Sequence, residues 1–293
     1  MKLEFESISL KKQQAYLQRL SECPQKSSDY SFVNLWGWAE EYGLYWAWKD
    51  RLVWIQQTKP EVLYWAPVGP WEDINWNQDF GGIISKPTVF TRIPDKLVQC
   101  WKTSVKNRLT INEERSSWDY LYAVKELIEL KGNRFHKKKN LLSQFRKTYN
   151  YTYVPLKYEM IEKALTMQTD WCTWRDCESS QTLSSENRTI ARILRQWQNL
   201  SGLFGGAIFV EATMVAYTVA ERLTSDTLLI HFEKGSPGYK GVYQAVNQMF
   251  LANLTNGFTL VNREQDMDDE GLRKAKLSYN PVDFLRKYRV TIS

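Results

Sequence analysis

Two side chains capable of acid–base chemistry alternate along one apolar segment, TLLIHFEK. His231 and Glu233 flank Phe232 there, and in a strand, side chains two residues apart point to the same face. In acyl transfer a base must take a proton from the attacking amine or hydroxyl, and either side chain can serve. A buried histidine hydrogen-bonded to a glutamate is the structural alternative. The spacing therefore predicts a pair that lies either in a catalytic cleft or in a buried polar contact.

Charged residues also surround the end of the predicted strand FTLVN and fill the helix predicted after it. Glu264 is a third catalytic candidate. If the site binds a donor substrate with an α-amino group and a phosphate, Glu264 is suited to hold the amino group and Arg263 the anion. Acids before Leu272 and bases after it also complement the helix dipole, which is a purely structural explanation. Tyr279 is either a core residue or a hydroxyl in the site. The donor-binding candidates in this segment are Asn262, Arg263, Arg273, Lys274, Lys276 and Tyr279.

A glycine-punctuated segment, GSPGYKG (235–241), joins TLLIHFEK to a predicted helix, VYQAVNQMFLANL. A loop between a strand and the start of a helix can present backbone N–H groups and the helix dipole to an anionic donor. Gly241 is therefore a donor-binding candidate, and Lys234 and Lys240, beside the glycines, are candidates to meet phosphates. A simple packing turn is the alternative explanation of the same glycines.

Residues 131–147 contain seven basic side chains and no acid. Phe135, Leu142, Phe145 and Tyr149 recur at spacings of seven, three and four residues, which predicts an amphipathic helix. Clustered basic side chains bind phosphates without a sequence code, so this face suits a tRNA backbone or an anionic lipid surface. A solvated helix face or a linker helix is the alternative. The tRNA-backbone candidates are Lys131, Arg134, Lys137, Lys138, Lys139 and Arg146.

The composition is that of an ordinary globular protein. Its 293 residues are 43% hydrophobic and 25% charged, which excludes collagen-like and disordered chains. The net charge of +6 is uneven, since residues 1–130 carry 16 basic and 17 acidic side chains and residues 131–293 carry 23 and 16. This excess is too small for a histone-like protein, and we expect no DNA binding.

Several other kinds of site find no support in the sequence. The chain has no P-loop, G-x-G-x-x-G or G-x-S-x-G motif, and two histidines cannot build a histidine-rich metal centre. Four cysteines without a C-x-x-C pair are typical of reduced thiols in a cytoplasmic protein. Residues 203–220 approach the length of a membrane span, but the central Glu211 favours two buried strands joined by a turn. We therefore expect no metal, no certain cofactor and no transmembrane segment.

Ten of the 13 tryptophans precede residue 120, which makes this part of the chain different from the rest. Aromatic rings can stack on bases or sugars, but large aromatics on helix and strand faces are more often buried. We expect Trp71 and Trp76, in the loop GPWEDINWN, to be the exposed ones. We expect the core tryptophans to include Trp36, Trp46, Trp48, Trp54 and Trp65.

The order of predicted elements is repeated along the chain. A helix near 32–41 precedes the strand-like segments LYWAW, LVWIQ and VLYWAPV, and a helix near 186–200 precedes GLFGGAIFV, MVAYTVAE and TLLIHFEK. The second copy continues through the glycine loop into a helix, the strand FTLVN and a helix near 270–277. This order matches the GNAT acyltransferase fold. We therefore expect an α+β protein of two GNAT-like domains, residues 1–130 and 131–293, with mixed sheets flanked by helices.

Four segments of the sequence carry a more specific resemblance: LKGNRFHKKKN (130–140), HFEKG (231–235), GVYQAVN (241–247) and VNREQDMDDEGLRKAKLSYNP (261–281). They are similar to bacterial proteins related to the C-terminal domain of phosphatidylglycerol lysyltransferase. The resemblance implies a tandem GNAT-like fold shared with Fem-type peptidoglycan aminoacyltransferases. Those relatives move an amino acid from aminoacyl-tRNA to an amine or hydroxyl.

We therefore expect a cytoplasmic transferase that takes an aminoacyl group from aminoacyl-tRNA, with tRNA or an anionic lipid surface as partner. Two alternatives fit the same residues. One is a GNAT enzyme that uses acyl-CoA to modify a small amine, although GSPGYKG differs from the usual acetyl-CoA loop, [QR]-x-x-G-x-[GA]. The other is a non-catalytic tandem module that binds RNA or a protein.

Overall fold

A computed structural model describes residues 3–77, 80, 87–105, 108–254 and 257–293. The chain forms two compact units. The first comprises Met1–Asp119, Gln265–Asp268 and Phe284–Ser293, and the second comprises Tyr120–Glu264 and Asp269–Asp283. These units do not coincide with the expected boundary after residue 130, because the end of the chain returns to the sheet of the first unit.

The segments predicted to be helices or strands form such elements, and further helices and strands lie between them. The strands are β1 (Glu6–Ser7), β2 (Leu44–Lys49), β3 (Leu52–Gln57), β4 (Leu63–Tyr64), β5 (Thr88–Pro94), β6 (Leu109–Glu113), β7 (Asp119–Ala123), β8 (Tyr151–Pro155), β9 (Phe204–Val210), β10 (Thr213–Arg222), β11 (Thr227–Gly235), β12 (Leu260–Asn262), β13 (Asp283–Leu285) and β14 (Lys287–Ile292). The helices are α1 (Gln13–Ser21), α2 (Phe32–Gly37), α3 (Ala39–Tyr42), α4 (Asp95–Ser104), α5 (Val124–Glu129), α6 (His136–Thr148), α7 (Ile161–Arg175), α8 (Gln181–Arg195), α9 (Val242–Ala252) and α10 (Glu270–Leu277).

Each unit is built on a mixed sheet. In the first unit the strand order is β1-β2-β3-β4-β5-β14-β6, and β4 runs parallel to β5. In the second unit the neighbours are β7-β12-β11-β10-β9-β8, and β11 runs parallel to β12. In both sheets an antiparallel meander of three strands is followed by a parallel neighbour. The predicted α+β class with two mixed sheets is confirmed.

The core of the first unit is dominated by aromatic side chains. Trp54, Trp76, Phe80 and Trp101 are all fully buried, and the Trp76 ring lies 5.4 Å from Phe80 and 5.7 Å from Trp101. The expectation that Trp71 and Trp76 are exposed is wrong, since each is 1% exposed. Their indole nitrogens donate to backbone carbonyls, Trp71 to Pro67 and Trp76 to Trp71. The loop therefore folds back so that its two tryptophans complete the core.

In the second unit, the segment that resembles a membrane span is a hairpin. Strands β9 and β10 pair through Thr213 and Val210, and the turn between them contains Glu211, with φ of 55°. Helix α9 packs on these strands through the apolar face that the sequence predicts. The buried residues of that face are Val242, Ala245, Val246, Met249 and Phe250. Within the described residues, no helix combines the length and apolar character needed to cross a membrane.

One cysteine expectation is wrong. Cys172, in α7, and Cys177 form a disulfide, with their Cα atoms 5.1 Å apart. The chain turns back after α7 at Asp176, whose φ of 52° lies in the left-handed region, and this turn brings together two cysteines whose spacing matches no common motif. Cys23 and Cys100 are free thiols.

Candidate functional site

His231 lies between two carboxylates of the second unit. Its Nδ1 atom is 3.1 Å from Oε1 of Glu264, and its Nε2 atom is 3.2 Å from Oε1 of Glu221. The side chains of His231, Glu221 and Glu264 are 0%, 8% and 18% exposed, respectively. His231 lies in a β-bulge of β11. Val219 pairs with Phe232 and Ala220 pairs with Ile230, so His231 is the extra residue between them.

The two carboxylates keep this imidazole charged. Burial disfavours the imidazolium, but Glu221 and Glu264 stabilise it more strongly and raise the pKa of His231 to about 9 from an ordinary value of 6.5. The ring is therefore protonated at neutral pH, where it cannot accept a proton. We call Glu221, His231 and Glu264 the carboxylate triad.

Glu233, on the same strand, is held by two donors. Its Oε2 atom forms an ion pair with Arg263 Nη2, and its Oε1 atom accepts a 3.0 Å hydrogen bond from Asn247 Nδ2 on α9. A buried charge requires such partners. His231 thus contacts Glu264, and Glu233 contacts Arg263. These four predicted residues lie in one cluster.

Tyr279 lies beside Arg263 and is almost completely buried. Its ring centroid is 4.9 Å from Arg263 Cζ and 4.1 Å from Lys138 Nζ, and its hydroxyl accepts a 3.2 Å hydrogen bond from Gln244 Nε2. Burial raises the pKa of Tyr279, although the Arg263 charge opposes this. Tyr279 is a core residue that also forms part of the wall of the cluster, and a role of its hydroxyl in the site stays a prediction.

The turn after β12 holds Glu264 in an unusual backbone conformation. Its φ of 56° lies in the left-handed region, where residues other than glycine are strained and which is enriched at functional sites. The Oδ1 atom of Asn262 accepts a 2.8 Å hydrogen bond from the Glu264 backbone N–H. Lys276 Nζ donates a 2.6 Å hydrogen bond to the Arg263 carbonyl oxygen. Asn262 and Lys276 therefore shape the turn that presents Arg263 and Glu264.

Gly241 is required by packing. Its φ is 84°, and a Cβ atom there would lie 2.2 Å from the Leu141 carbonyl oxygen of α6. Lys240, next to it, is exposed, and its backbone N–H donates a 3.2 Å hydrogen bond to the Tyr149 hydroxyl. These contacts agree with the packing-turn explanation of the glycine loop, and the roles of Lys240 and Gly241 in donor binding stay predictions.

Lys234 faces away from the cluster. Its Nζ atom forms a 2.8 Å ion pair with Glu186 of α8 and lies 3.9 Å from the Trp171 ring centroid of α7. Burial lowers the pKa of Lys234, and Glu186 opposes this shift. Strand alternation explains the position, since Lys234 follows Glu233 and points to the opposite face of β11. The structure therefore does not bring Lys234 together with the other donor-binding candidates.

Helix α10 fits the dipole explanation of its charges. Asp269 caps the helix by accepting a 2.7 Å hydrogen bond from the Leu272 backbone N–H. Lys274 is exposed and pairs with Glu270 at 3.7 Å, while Arg273 is half-buried on the same helix. Donor binding by Arg273 and Lys274 stays a prediction.

The basic segment forms α6 as expected, with Phe135, Leu142 and Phe145 buried, but its cations have different surroundings. Lys131, Lys137 and Lys139 are exposed. Arg134 forms an ion pair with Glu126, and Arg146 Nη2 donates a 2.8 Å hydrogen bond to Gln248 Oε1. Lys138 is half-buried against Tyr279. The exposed lysines remain candidates for a tRNA backbone, whereas Lys138 belongs to the cluster.

Three partners in this cluster were missed by sequence reasoning. Asn247 is a fully buried amide inside the apolar helix α9, and a polar residue on an apolar face is a usable sequence signal. Gln244 lies one turn earlier on α9. Glu221 ends the strand MVAYTVAE, and nothing in its spacing identifies it. Among the described residues, no group of His, Cys, Asp and Glu side chains is arranged to hold a metal ion, and the triad carboxylates contact different nitrogens of one ring.

The fold and its strand order define a tandem GNAT-like protein. Residues 21–291 match the family described as phosphatidylglycerol lysyltransferase, C-terminal. The chain therefore belongs to this family. An uncharacterised protein of Mycoplasmoides gallisepticum is 25% identical over 178 residues, which are 60% of this chain. The chain spans 57% of the length of that curated relative.

Solved structures are similar over nearly the whole chain. A conserved protein of unknown function from Bacteroides thetaiotaomicron superposes with a TM-score of 0.87 at 27% identity, covering 99% of this chain and 100% of that one. The C-terminal domain of a candidate lysylphosphatidylglycerol synthetase from Agrobacterium fabrum gives 0.66 at 12% identity, covering 97% and 92%. FemX gives 0.56 at 9% identity, covering 98% and 97%. The latter two establish a shared fold.

Proposed function

We propose that this chain transfers an aminoacyl group from aminoacyl-tRNA to an amine or hydroxyl acceptor, using the cluster around His231 and Glu264. The partly exposed carboxylate of Glu264 beside the buried His231 carries the proposal. An aminoacyl ester has an α-ammonium group, which a partly exposed carboxylate beside a charged histidine is suited to bind. The acetyl group of acetyl-CoA has no such cation. Family membership over residues 21–291 supports the same class of reaction.

Each residue has a distinct role in this proposal. Glu264, the most exposed carboxylate of the triad, binds the donor ammonium. His231 holds Glu264 in place and is not the base at neutral pH, because its pKa is raised to about 9. Glu233 is then the candidate to take the proton of the attacking amine or hydroxyl. Arg263 and Asn247 position its carboxylate.

The exposed basic residues of the second unit support an RNA donor. Lys131, Lys137 and Lys139 are exposed in or near α6. The phosphates of an RNA backbone bind such lysines with release of counterions. Because aminoacyl-tRNA is a cytoplasmic compound, the proposed reaction takes place in the cytoplasm. An anionic lipid such as phosphatidylglycerol is the acceptor class that the family name suggests.

Binding measurements with charged and uncharged tRNA test the donor assignment. The wild-type chain should bind aminoacylated tRNA about tenfold more tightly than uncharged tRNA, as expected for one charge-assisted contact. Glu264→Gln should remove this preference without weakening the binding of uncharged tRNA. Glu270→Gln, a change at an exposed glutamate, is the matched control and should keep the preference. Equal affinities for both tRNAs, together with thermal stabilisation by acetyl-CoA, would contradict the proposal and favour an acyl-CoA enzyme.

A further inference from the structure

Lys138 stands apart from the other lysines of α6. Its Nζ atom lies 4.1 Å from the Tyr279 ring centroid, and the same ring is contacted by the Arg263 guanidinium, 4.9 Å from the centroid. Burial and the nearby Arg263 charge lower the pKa of Lys138. Two cations thus share one aromatic ring, where they repel each other.

Arg263 is only partly compensated. Its Nη2 atom pairs with Glu233, whereas its buried Nη1 atom has no hydrogen-bond partner among the described residues. A buried N–H group without a partner costs about 1 to 3 kcal/mol, so native structures rarely leave one. A ligand oxygen beside Arg263 Nη1 would supply the missing acceptor.

The charges of the residues next to Tyr279 do not cancel. Lys138 and Arg263 are positive and Glu233 is negative, which leaves one net positive charge. In the part of the chain that the structure describes, Lys138 has no carboxylate partner. The carboxylate triad, by contrast, presents the partly exposed carboxylate of Glu264. The cluster thus has an end suited to a cation and an end suited to a monoanion.

We infer that Lys138 and Arg263 Nη1 form a subsite for one phosphodiester of the RNA that carries the donor. The inference rests on the proposed function for its ligand, an aminoacyl ester whose ammonium lies at the triad. A phosphodiester carries one negative charge, which matches the uncompensated charge of the subsite. Lys137 and Lys139, exposed on either side of Lys138 in the sequence, favour a chain of phosphates over an isolated headgroup.

The test uses the dinucleotide cytidylyl-(3′→5′)-adenosine, which contains a single phosphodiester, titrated into the full chain and followed by NMR line broadening. Lys138→Gln should weaken binding about tenfold, the effect of losing one charge-assisted contact. Lys125→Gln removes an exposed lysine of α5 that pairs with Glu129, and it should change the affinity less than twofold. Glycerophosphoglycerol, the diester of a lipid headgroup, tests the source of the phosphodiester and should bind more weakly than the dinucleotide.

Three results would overturn the inference: unchanged binding in Lys138→Gln, equal losses in Lys125→Gln and Lys138→Gln, or tighter binding of glycerophosphoglycerol than of the dinucleotide. Aminoacyl transfer is measured on the same samples. Dinucleotide binding that depends on Lys138 in a chain that transfers no aminoacyl group would support the subsite and contradict the proposed reaction. Normal transfer with binding independent of Lys138 would contradict the subsite alone.

Discussion

The Nδ1 atom of His231 lies 3.1 Å from Oε1 of Glu264, a residue 33 positions later in the chain. This contact joins the bulge of β11 to the left-handed turn that follows β12. On the other side of the ring, Nε2 lies 3.2 Å from Glu221 of β10. The imidazole of β11 therefore contacts side chains from two other segments of the second unit.

The first prediction concerns the pH dependence of stability. Because the folded-state pKa of His231, about 9, exceeds the ordinary value of 6.5, protonation favours the folded state. The stabilisation is fully present below about pH 6.5 and is lost as the pH rises through 9. Its size should be of the order of 3 kcal/mol.

Urea unfolding of wild type and His231→Gln between pH 6 and pH 10 measures this contribution. The stability difference between the two proteins should shrink as the pH rises. The matched control is His136→Gln, since His136 is the other histidine and is exposed. A difference that stays constant over this range would show that the buried ring is neutral.

The second prediction concerns the buried ion pair of Arg263 and Glu233. Arg263→Met should lower the free energy of unfolding by about 3 to 5 kcal/mol, because it leaves a buried carboxylate without its cation. The double variant Arg263→Met/Glu233→Met should recover much of that loss, since no lone buried charge remains. A double-mutant cycle in urea tests this, and additive losses would contradict a coupled pair.

The third prediction concerns the core of the first unit. Lys287 Nζ is fully buried and forms ion pairs with Asp29 and, at 2.6 Å, with Asp119. Burial alone would raise the pKa of Asp29, but Lys287 and Arg92 outweigh it and lower this pKa. Lys287→Met should therefore cost about 3 to 5 kcal/mol in the free energy of unfolding.

A matched control for this change lies two residues further along β14. Arg289 forms an exposed ion pair with Glu61, and such surface pairs contribute about 0 to 1 kcal/mol. Arg289→Met should therefore cost less than about 1 kcal/mol in urea unfolding. Similar losses for Arg289→Met and Lys287→Met would contradict the special role of the buried lysine.

The fourth prediction separates the glycines of the loop before α9. Gly241→Ala would place a Cβ atom 2.2 Å from the Leu141 carbonyl oxygen at a φ of 84°, whereas a Cβ atom at Gly238 has no neighbour within 4 Å. Gly241→Ala should cost more than about 1 kcal/mol, and Gly238→Ala should be nearly neutral. Thermal unfolding of both variants checks this, and equal effects would refute the close approach of α6.

Much of the fold follows from local sequence patterns. The hairpin at Glu211, the apolar face of α9 and the bounds of α10 were all predicted, because each depends on periodicity and turn residues within one segment. The return of β14 to the first sheet was not, since strand pairing between distant segments leaves little local signal. The same reason explains the wrong expectation for Trp71 and Trp76, because their burial depends on contacts outside their own loop.

The candidate site was predicted in part. His231, Glu233, Arg263 and Glu264 were identified from residue type and from the resemblance, and they lie in one cluster. The charge of His231 could not be predicted, because it depends on Glu221, a partner supplied by strand register. The position of Lys138 depends on which way α6 faces, and a run of three lysines does not specify which of them points inward.

Transfer of a radiolabelled amino acid measures the proposed reaction itself. Aminoacyl-tRNA is incubated with the protein, phosphatidylglycerol vesicles and a mixture of small amines, and label is followed from the RNA into the lipid and small-molecule fractions. We predict protein-dependent transfer that falls at least tenfold in Glu264→Gln and is unchanged in Glu270→Gln. A parallel sample contains acetyl-CoA in place of aminoacyl-tRNA. Label that leaves the tRNA no faster than without protein, together with acetylation of one of the amines in the parallel sample, would contradict the proposed reaction.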